Sequence, residues 1–212
     1  MIAYIIAGII AYLLGSISFS VIFTKKFAGF DVREKGSGNA GSTNVLRTAG
    51  KKTALLTLIC DILKGVAAVF IALWIGNIIN ADDRTKATLI QVAGILVVVG
   101  HTFPVFFGFR GGKGVATALG VLLTINWQIG LICLIFALLL MAGSKMVSLG
   151  SVAAAILFPV LCMFLSQNSL VPGFNFSYTV FGIIMACIVV YNHRSNIKRI
   201  LEGKENKLSF KK

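Results

Sequence analysis

TALLTLICDILKGVAAVFIALWIGNI, Thr53 to Ile78, is an apolar run in which charge appears only at Asp61 and Lys64. Crossing a hydrocarbon core of about 30 Å takes about 20 apolar residues in a helix, and this stretch has that length. Six further apolar segments flank it, at 2–24, 87–107, 113–125, 127–143, 147–165 and 177–192. Backbone groups in lipid have no water to bond, so such segments must satisfy them internally, as helices do. No segment alternates with period two as a barrel strand would. The expected fold is all-α: a polytopic membrane protein of seven helices in one domain, residues 1–212. The fourth segment is too short to cross upright. It is either a half-length helix or shares one span with the fifth, with Asn126 and Trp127 at the turn.

Composition agrees: 57% of the chain is hydrophobic and 13% charged. The net charge of +13 does not point to nucleic acid. The cations lie at segment ends, where anionic headgroups attract them, and no aromatic-interleaved basic domain exists. With seven segments the connecting loops alternate sides. Loops 25–52, 108–112, 144–146 and 193–212 hold seven, one, one and seven Lys or Arg, against only Arg84 and Lys86 on the other side. The positive-inside rule places the N-terminus outside and the C-terminus in the cytoplasm. This assignment requires that segments four and five be separate. The N-terminal MIAYIIAGII has its first cations, Lys25 and Lys26, after the apolar run. That is the reverse of a cleaved signal peptide, so it reads as a retained span. Cys60, Cys133, Cys162 and Cys187 all fall inside apolar runs and form no CxxC pair; they read as small buried hydrophobes.

Three polar clusters then stand out, all on the side predicted to be cytoplasmic: SGNAGSTN (Ser37–Asn44), FRGGKG (Phe109–Gly114) and NHRSNIKR (Asn192–Arg199). In FRGGKG, consecutive glycines leave the backbone free to aim N–H groups at one point, and a following helix N-terminus adds donors. Lys113 and Arg110 supply charge. The alternative is an interfacial turn with lipid-facing cations. It is not a Walker A loop: Gly114 stands where Ser or Thr belongs, and Phe107 occupies the first glycine position. SGNAGSTN offers the hydroxyls and amides of Ser37, Asn39, Ser42, Thr43 and Asn44, with Arg47 within a helical turn; its other reading is a loop that caps segment two. Asp61 and Lys64 share a helix face, as a structural ion pair or as the lining of a functional cavity. His101 and His193 lie at the same boundary, as scaffolding or as participants. No HxxxxD, GxSxG or HExxH pattern occurs, and seven acids leave little for a metal site.

At these residues the chain resembles a known family. SGNAGSTNVLRTAG, HTFPVFFGFRGGKGVAT and NHRSNIKRILEGKENK are similar to the three signature segments of the bacterial acyl-phosphate:glycerol-3-phosphate acyltransferases. The resemblance covers nearly the whole length, in motif order. It implies a seven-helix enzyme of the bacterial inner membrane, working on its cytoplasmic side without cofactor or metal. The reaction implied is transfer of a fatty acyl group from acyl phosphate to the 1-hydroxyl of glycerol 3-phosphate. The products would be lysophosphatidic acid and phosphate, the first step of phospholipid synthesis. Carried over by motif, Ser37, Lys113, His193 and Asn196 form the catalytic set. Ser37 and its neighbouring amides would hold acyl phosphate, whereas Arg47, Lys113, His193 and Asn196 would grip glycerol 3-phosphate. Gly38, Asn39, Asn44, Gly111, Gly112, Gly114 and Glu205 join as further substrate-binding positions, with Thr43 in the same segment. Membrane lipid is the other expected partner; no nucleic acid is expected, and oligomeric state stays open. Three mechanisms are open at this point: direct attack of the glycerol 3-phosphate hydroxyl, an acyl-enzyme on Ser37, or His193 as general base. A small transporter of phosphate esters is the rival class. It fits less well, because the polar clusters lie on one predicted face and the halves show no inverted repeat. Small residues at Gly120, Ala116, Gly143, Gly150 and Ala153 are expected to permit close helix approach.

Overall fold

A computed structural model describes residues 1–165, 169–171 and 175–207. Parts of the expected 166–176 loop, and the tail 208–212 with Lys211 and Lys212, lie outside the described residues. All regular structure among the described residues is helical. Five helical stretches are long and apolar enough to cross a membrane, or six if one bent pair counts as a span. The polytopic all-α expectation therefore holds. The chain packs as two compact units, Met1–Ile125 and Asn126–Lys212.

In the first unit the leading apolar segment is not one helix. It splits into α1 (Ile2–Gly15) and α2 (Phe19–Ala28). A break at membrane depth frees backbone carbonyls that lipid cannot satisfy. Lys64 supplies the remedy: its Nζ donates to the carbonyls of Gly15 and Ile17, both at 3.0 Å. It also lies 2.9 Å from Asp61 Oδ1, with both side chains almost fully buried. The Asp61–Lys64 pair thus has a structural task, stitching the broken first span to α3 (Ser42–Ile78).

Helix α3 begins at Ser42, but Gly50 breaks it in two, so its long apolar stretch starts just after Gly50, close to the expected residue 53. Gly41, with no capping side chain, precedes it, so the Ser/Thr cap read from SGNAGSTN is not formed. Gly50 interrupts it at φ +83°, ψ 175°, a conformation essentially confined to glycine. Helix α4 (Asp83–Thr102) also starts earlier than 87, with Asp82 Oδ1 accepting the Thr85 N–H at 2.9 Å. It stops two residues short of Pro104, as the restriction on the residue before proline demands. Helix α5 (Val115–Ile125) is the short apolar helix expected from segment four. Glycines set the helix spacing. A Cβ on Gly100 would strike the Tyr12 carbonyl of α1, and one on Gly120 the Ile62 carbonyl of α3.

The second unit starts at Asn126, whose extended backbone separates α5 from α6 (Trp127–Ser144). Its Oδ1 caps α6 by accepting the Ile129 N–H at 3.1 Å. Segments four and five are therefore distinct helices. Helix α7 (Val147–Leu165) follows after a turn at Lys145, then α8 (Asn175–Asn192) and α9 (Arg194–Leu201). α8 and α9 meet at a 64° bend. Gly150 abuts the Ala137 carbonyl, whereas a Cβ on Gly143 would meet nothing within 4 Å among the described residues.

Candidate functional site

Two of the three motif loops belong to the first unit, and its fold brings them together. The loop before α3 is held from inside by Asn44. Its Nδ2 donates to the carbonyls of Val32, Lys35 and Asn39 at 3.0, 3.0 and 3.1 Å, and its Oδ1 accepts the Ser37 N–H at 3.0 Å. Asn44 is 2% exposed. Its amide serves the loop that carries Ser37, Gly38 and Asn39. Ser37 and Gly38 are themselves exposed.

The second loop is tied to the first by residues that motif reading passed over. Arg33 forms a two-pronged pair with Asp31, Nε to Oδ1 at 2.9 Å and Nη2 to Oδ2 at 2.8 Å. Its Nη1 donates to the Phe107 carbonyl at 2.6 Å. Hydrogen bonding from Arg33 holds the Asp31 carboxyl well below the usual range, against the upward push of burial. The same carboxylate raises the Arg33 guanidinium. Phe107 packs on a small core of Val21, Val32, Ala40, Val45 and Ala54. The sequence signal for this brace was Asp-Val-Arg, an acid and a base two residues apart in a basic loop. A direct loop-to-loop bond, Ala40 N–H to the Gly111 carbonyl at 3.3 Å, completes the join.

The FRGGKG glycines differ from the expectation of a free amide nest. The N–H groups of Gly111 and Gly112 donate to the Thr102 and His101 carbonyls, both at 3.1 Å. The end of a helix leaves carbonyls open, and this loop fills two of them. Glycine is needed at 112 for space: a Cβ would run into His101 Nε2 and come within 2.8 Å of the Ala40 carbonyl oxygen. Beyond them, Gly114 at φ +85° turns the chain into α5. Lys113 is half-buried between these positions, while Arg47 and Arg110 are exposed. The N-termini of α3 and α5 both issue from the joined loops, adding their partial positive charge to that of the side chains.

The third motif lies in the second unit, at the α8–α9 bend. His193 is 3% exposed, and its Nδ1 lies 2.8 Å from the Val189 carbonyl. That bond requires the proton on Nδ1. Asn196 Nδ2 donates to Glu205 Oε1 at 2.6 Å. The same oxygen accepts from Ser148 at 2.8 Å, while Oε2 accepts Arg199 Nε at 2.7 Å. Burial pushes the Glu205 carboxyl up, but these three hydrogen bonds outweigh it and hold it below the ordinary value. Glu205 thus organises Asn196 and Arg199 and pins the segment after α9 to α7.

Comparison with known proteins places this arrangement. The glycerol-3-phosphate acyltransferase family model matches residues 5–203. The glycerol-3-phosphate acyltransferase of Clostridioides difficile (strain 630) is 45% identical over 210 residues, 99% of this chain and 98% of that protein. That of Neisseria meningitidis serogroup C (strain FAM18) is 40% identical over 203 residues, 96% of each. Among solved structures, the chain is similar to PlsY (YgiH), an integral membrane glycerol 3-phosphate acyltransferase, in its glycerol 3-phosphate form. The TM-score is 0.81 at 36% identity, covering 97% of this chain and 96% of that one. The lysophosphatidic acid form of PlsY gives a TM-score of 0.79 at 34% identity, covering 97% and 95%. With a family model spanning nearly its whole length and full-length relatives at this identity, the chain belongs to the glycerol-3-phosphate acyltransferase family.

Proposed function

We propose that the protein transfers a fatty acyl group from acyl phosphate to the 1-hydroxyl of glycerol 3-phosphate, releasing lysophosphatidic acid and inorganic phosphate. The observation that carries the reading is the joining of two cationic, glycine-rich loops in one unit, each feeding a helix N-terminus. Both substrates bear a phosphate, and each loop offers an anion-favouring end. Ser37 and nearby backbone amides receive the acyl phosphate. Arg47 and Lys113 receive the glycerol 3-phosphate, and the motif resemblance gives His193 and Asn196 a role in substrate binding. Gly38, Asn39, Gly111, Gly112 and Gly114 shape the backbone, with Asn44 and Glu205 ordering their own segments.

Acyl phosphate is a mixed anhydride with a good leaving group, so no protein nucleophile is required. The 1-hydroxyl oxygen attacks the acyl carbon, the carbon–oxygen bond to phosphate breaks, and the hydroxyl proton passes to a substrate phosphate oxygen. The protein contributes orientation and hydrogen-bond donors to the developing oxyanion. The cation excess of the loops at 25–52 and 193–212 supports a site on the cytoplasmic side of the inner membrane.

The test uses purified chain in detergent with acyl phosphate and labelled glycerol 3-phosphate. Stoichiometric phosphate and lysophosphatidic acid are expected, and Lys113→Ala should abolish both. Acyl-CoA supporting turnover as well as acyl phosphate would refute the donor assignment, and a trapped acyl adduct on Ser37 would refute direct transfer. A transporter of phosphate esters would make neither product, so the same assay separates the two classes.

A further inference from the structure

We propose that Asp61 and His101 form a buried positioning pair that sets the seat of Lys113; this rests on the phosphate role given to Lys113 above. Neither residue has a task in the acyl transfer itself. Both are almost fully buried, Asp61 at 1% and His101 at 6% exposure, so neither touches substrate. Yet His101 holds the Lys113 loop twice. Its carbonyl accepts the Gly112 N–H at 3.1 Å. Its ring, through Nε2, occupies the space that a Gly112 side chain would need. The main chain at 112 therefore lies directly against the imidazole, and Lys113 is the next residue.

Asp61 decides which edge of the ring faces the loop. Its Oδ1 lies 3.5 Å from His101 Nδ1, so the Nδ1 edge of the ring faces α3 and Nε2 faces Gly112. The charged groups around this contact are few. Lys64 Nζ lies 2.9 Å from the same oxygen and balances it while remaining committed to the α1–α2 break. The order of influence is Asp61 to His101 to Gly112 to Lys113. It crosses from α3 to the end of α4 and into the loop ahead of α5. An error of about 1 Å in a group that orients substrate can lower turnover about 100-fold, so a loose seat at 112 is felt at the phosphate contact.

The experiment compares His101→Asn and Asp61→Asn with the unmodified full chain in detergent. The readouts are kcat, KM for glycerol 3-phosphate and the melting temperature. Asparagine at 101 keeps an amide donor near the Nδ1 position but vacates the ring edge under Gly112. Asparagine at 61 keeps shape and loses charge. A rise of about tenfold or more in KM for glycerol 3-phosphate is expected from each; His101→Asn should melt within a few degrees of the unmodified chain, whereas Asp61→Asn, which leaves Lys64 buried without its counter-charge, should melt lower. A purely structural role would lower the active fraction and the melting temperature and leave KM unchanged. An unchanged KM in whichever variant folds overturns the inference. Loss of folded protein in both variants overturns it too, by making the pair an element of folding. If the unmodified chain makes no lysophosphatidic acid, the functional reading fails separately. Calorimetric titration with glycerol 3-phosphate then decides the inference: a dissociation constant weakened about tenfold supports it and an equal one overturns it.

Discussion

Replacing Asn44 with alanine should loosen one loop and leave the core standing. The side chain shares two N–H donors among three carbonyls and accepts one N–H. Each such bond contributes a net of about 0.5–1.5 kcal/mol. Lys35 and Ser37 are exposed, so water can replace the lost partner there. Val32 is fully buried, and orphaning its carbonyl costs about 1–3 kcal/mol. The sum, about 2–4 kcal/mol, falls on the 32–39 segment, because no other element depends on these bonds. At 1.4 kcal/mol per tenfold, the opened population of the loop should rise roughly 30- to 700-fold. Hydrogen exchange across 33–39 reads this directly, and the melting temperature should fall as well, because global unfolding breaks the same bonds. Asn44→Asp should not rescue the loop. It keeps the acceptor for the Ser37 N–H but turns a carboxylate toward three carbonyls. If Asn44→Ala abolished activity with exchange in 33–39 unchanged, Asn44 would be acting on substrate, and the loop-ordering argument would fail.

Lys64→Met should destabilise the first unit by about 3–5 kcal/mol, since it strands a buried carboxylate and uncovers the Gly15 and Ile17 carbonyls; thermal melting in detergent checks this, and partial recovery in Lys64→Met/Asp61→Asn is expected. Gly50→Ala should cost about 1–3 kcal/mol through its φ of +83° alone, because a Cβ there meets nothing within 4 Å; a melting temperature equal to the unmodified protein's would contradict it. For Glu205 the folded-state pKa lies below its ordinary 4.5. Its ionised form therefore adds stability above that ordinary value, and the contribution disappears as pH falls through the lowered one. Acid titration from about pH 5 to 3, followed by hydrogen exchange over 194–207, should show this segment opening. Glu205→Gln should already be open at neutral pH, and an acid-dependent step surviving in that variant would refute the assignment.

Much of the molecule was legible beforehand. Apolar length alone predicts helices at 127–143 and 147–165, and the structure places them at Trp127–Ser144 and Val147–Leu165. Pro104 ends α4 as its chemistry requires. The start of α4 at Asp83 was placed too late because an exposed polar turn carries no apolar signature, and the short stretch from Ser42 to the Gly50 break was not seen because it is too short and polar to read as a span. The break at Ser16–Ser18 went unread for another reason: the small hydroxyls of Ser16, Ser18 and Ser20 are compatible with a continuous apolar helix, and the lysine that makes the break tolerable lies far along the chain.

By itself the sequence determines that this is a helical membrane protein with three polar, cationic segments, because hydrophobic length and the cost of unpaired backbone in lipid act locally along the chain. The motif strings carry the family resemblance for the same local reason. Only the tertiary structure decides what each polar group does. Asn44 and Glu205 are turned inward to organise segments, and the glycines of FRGGKG give their amides to the end of α4. Lys64 mends a broken helix, and Asp31 with Arg33 braces two loops. Hydrogen bonds of 3 Å select among partners distant in sequence, and that selection exists only once the helices have packed.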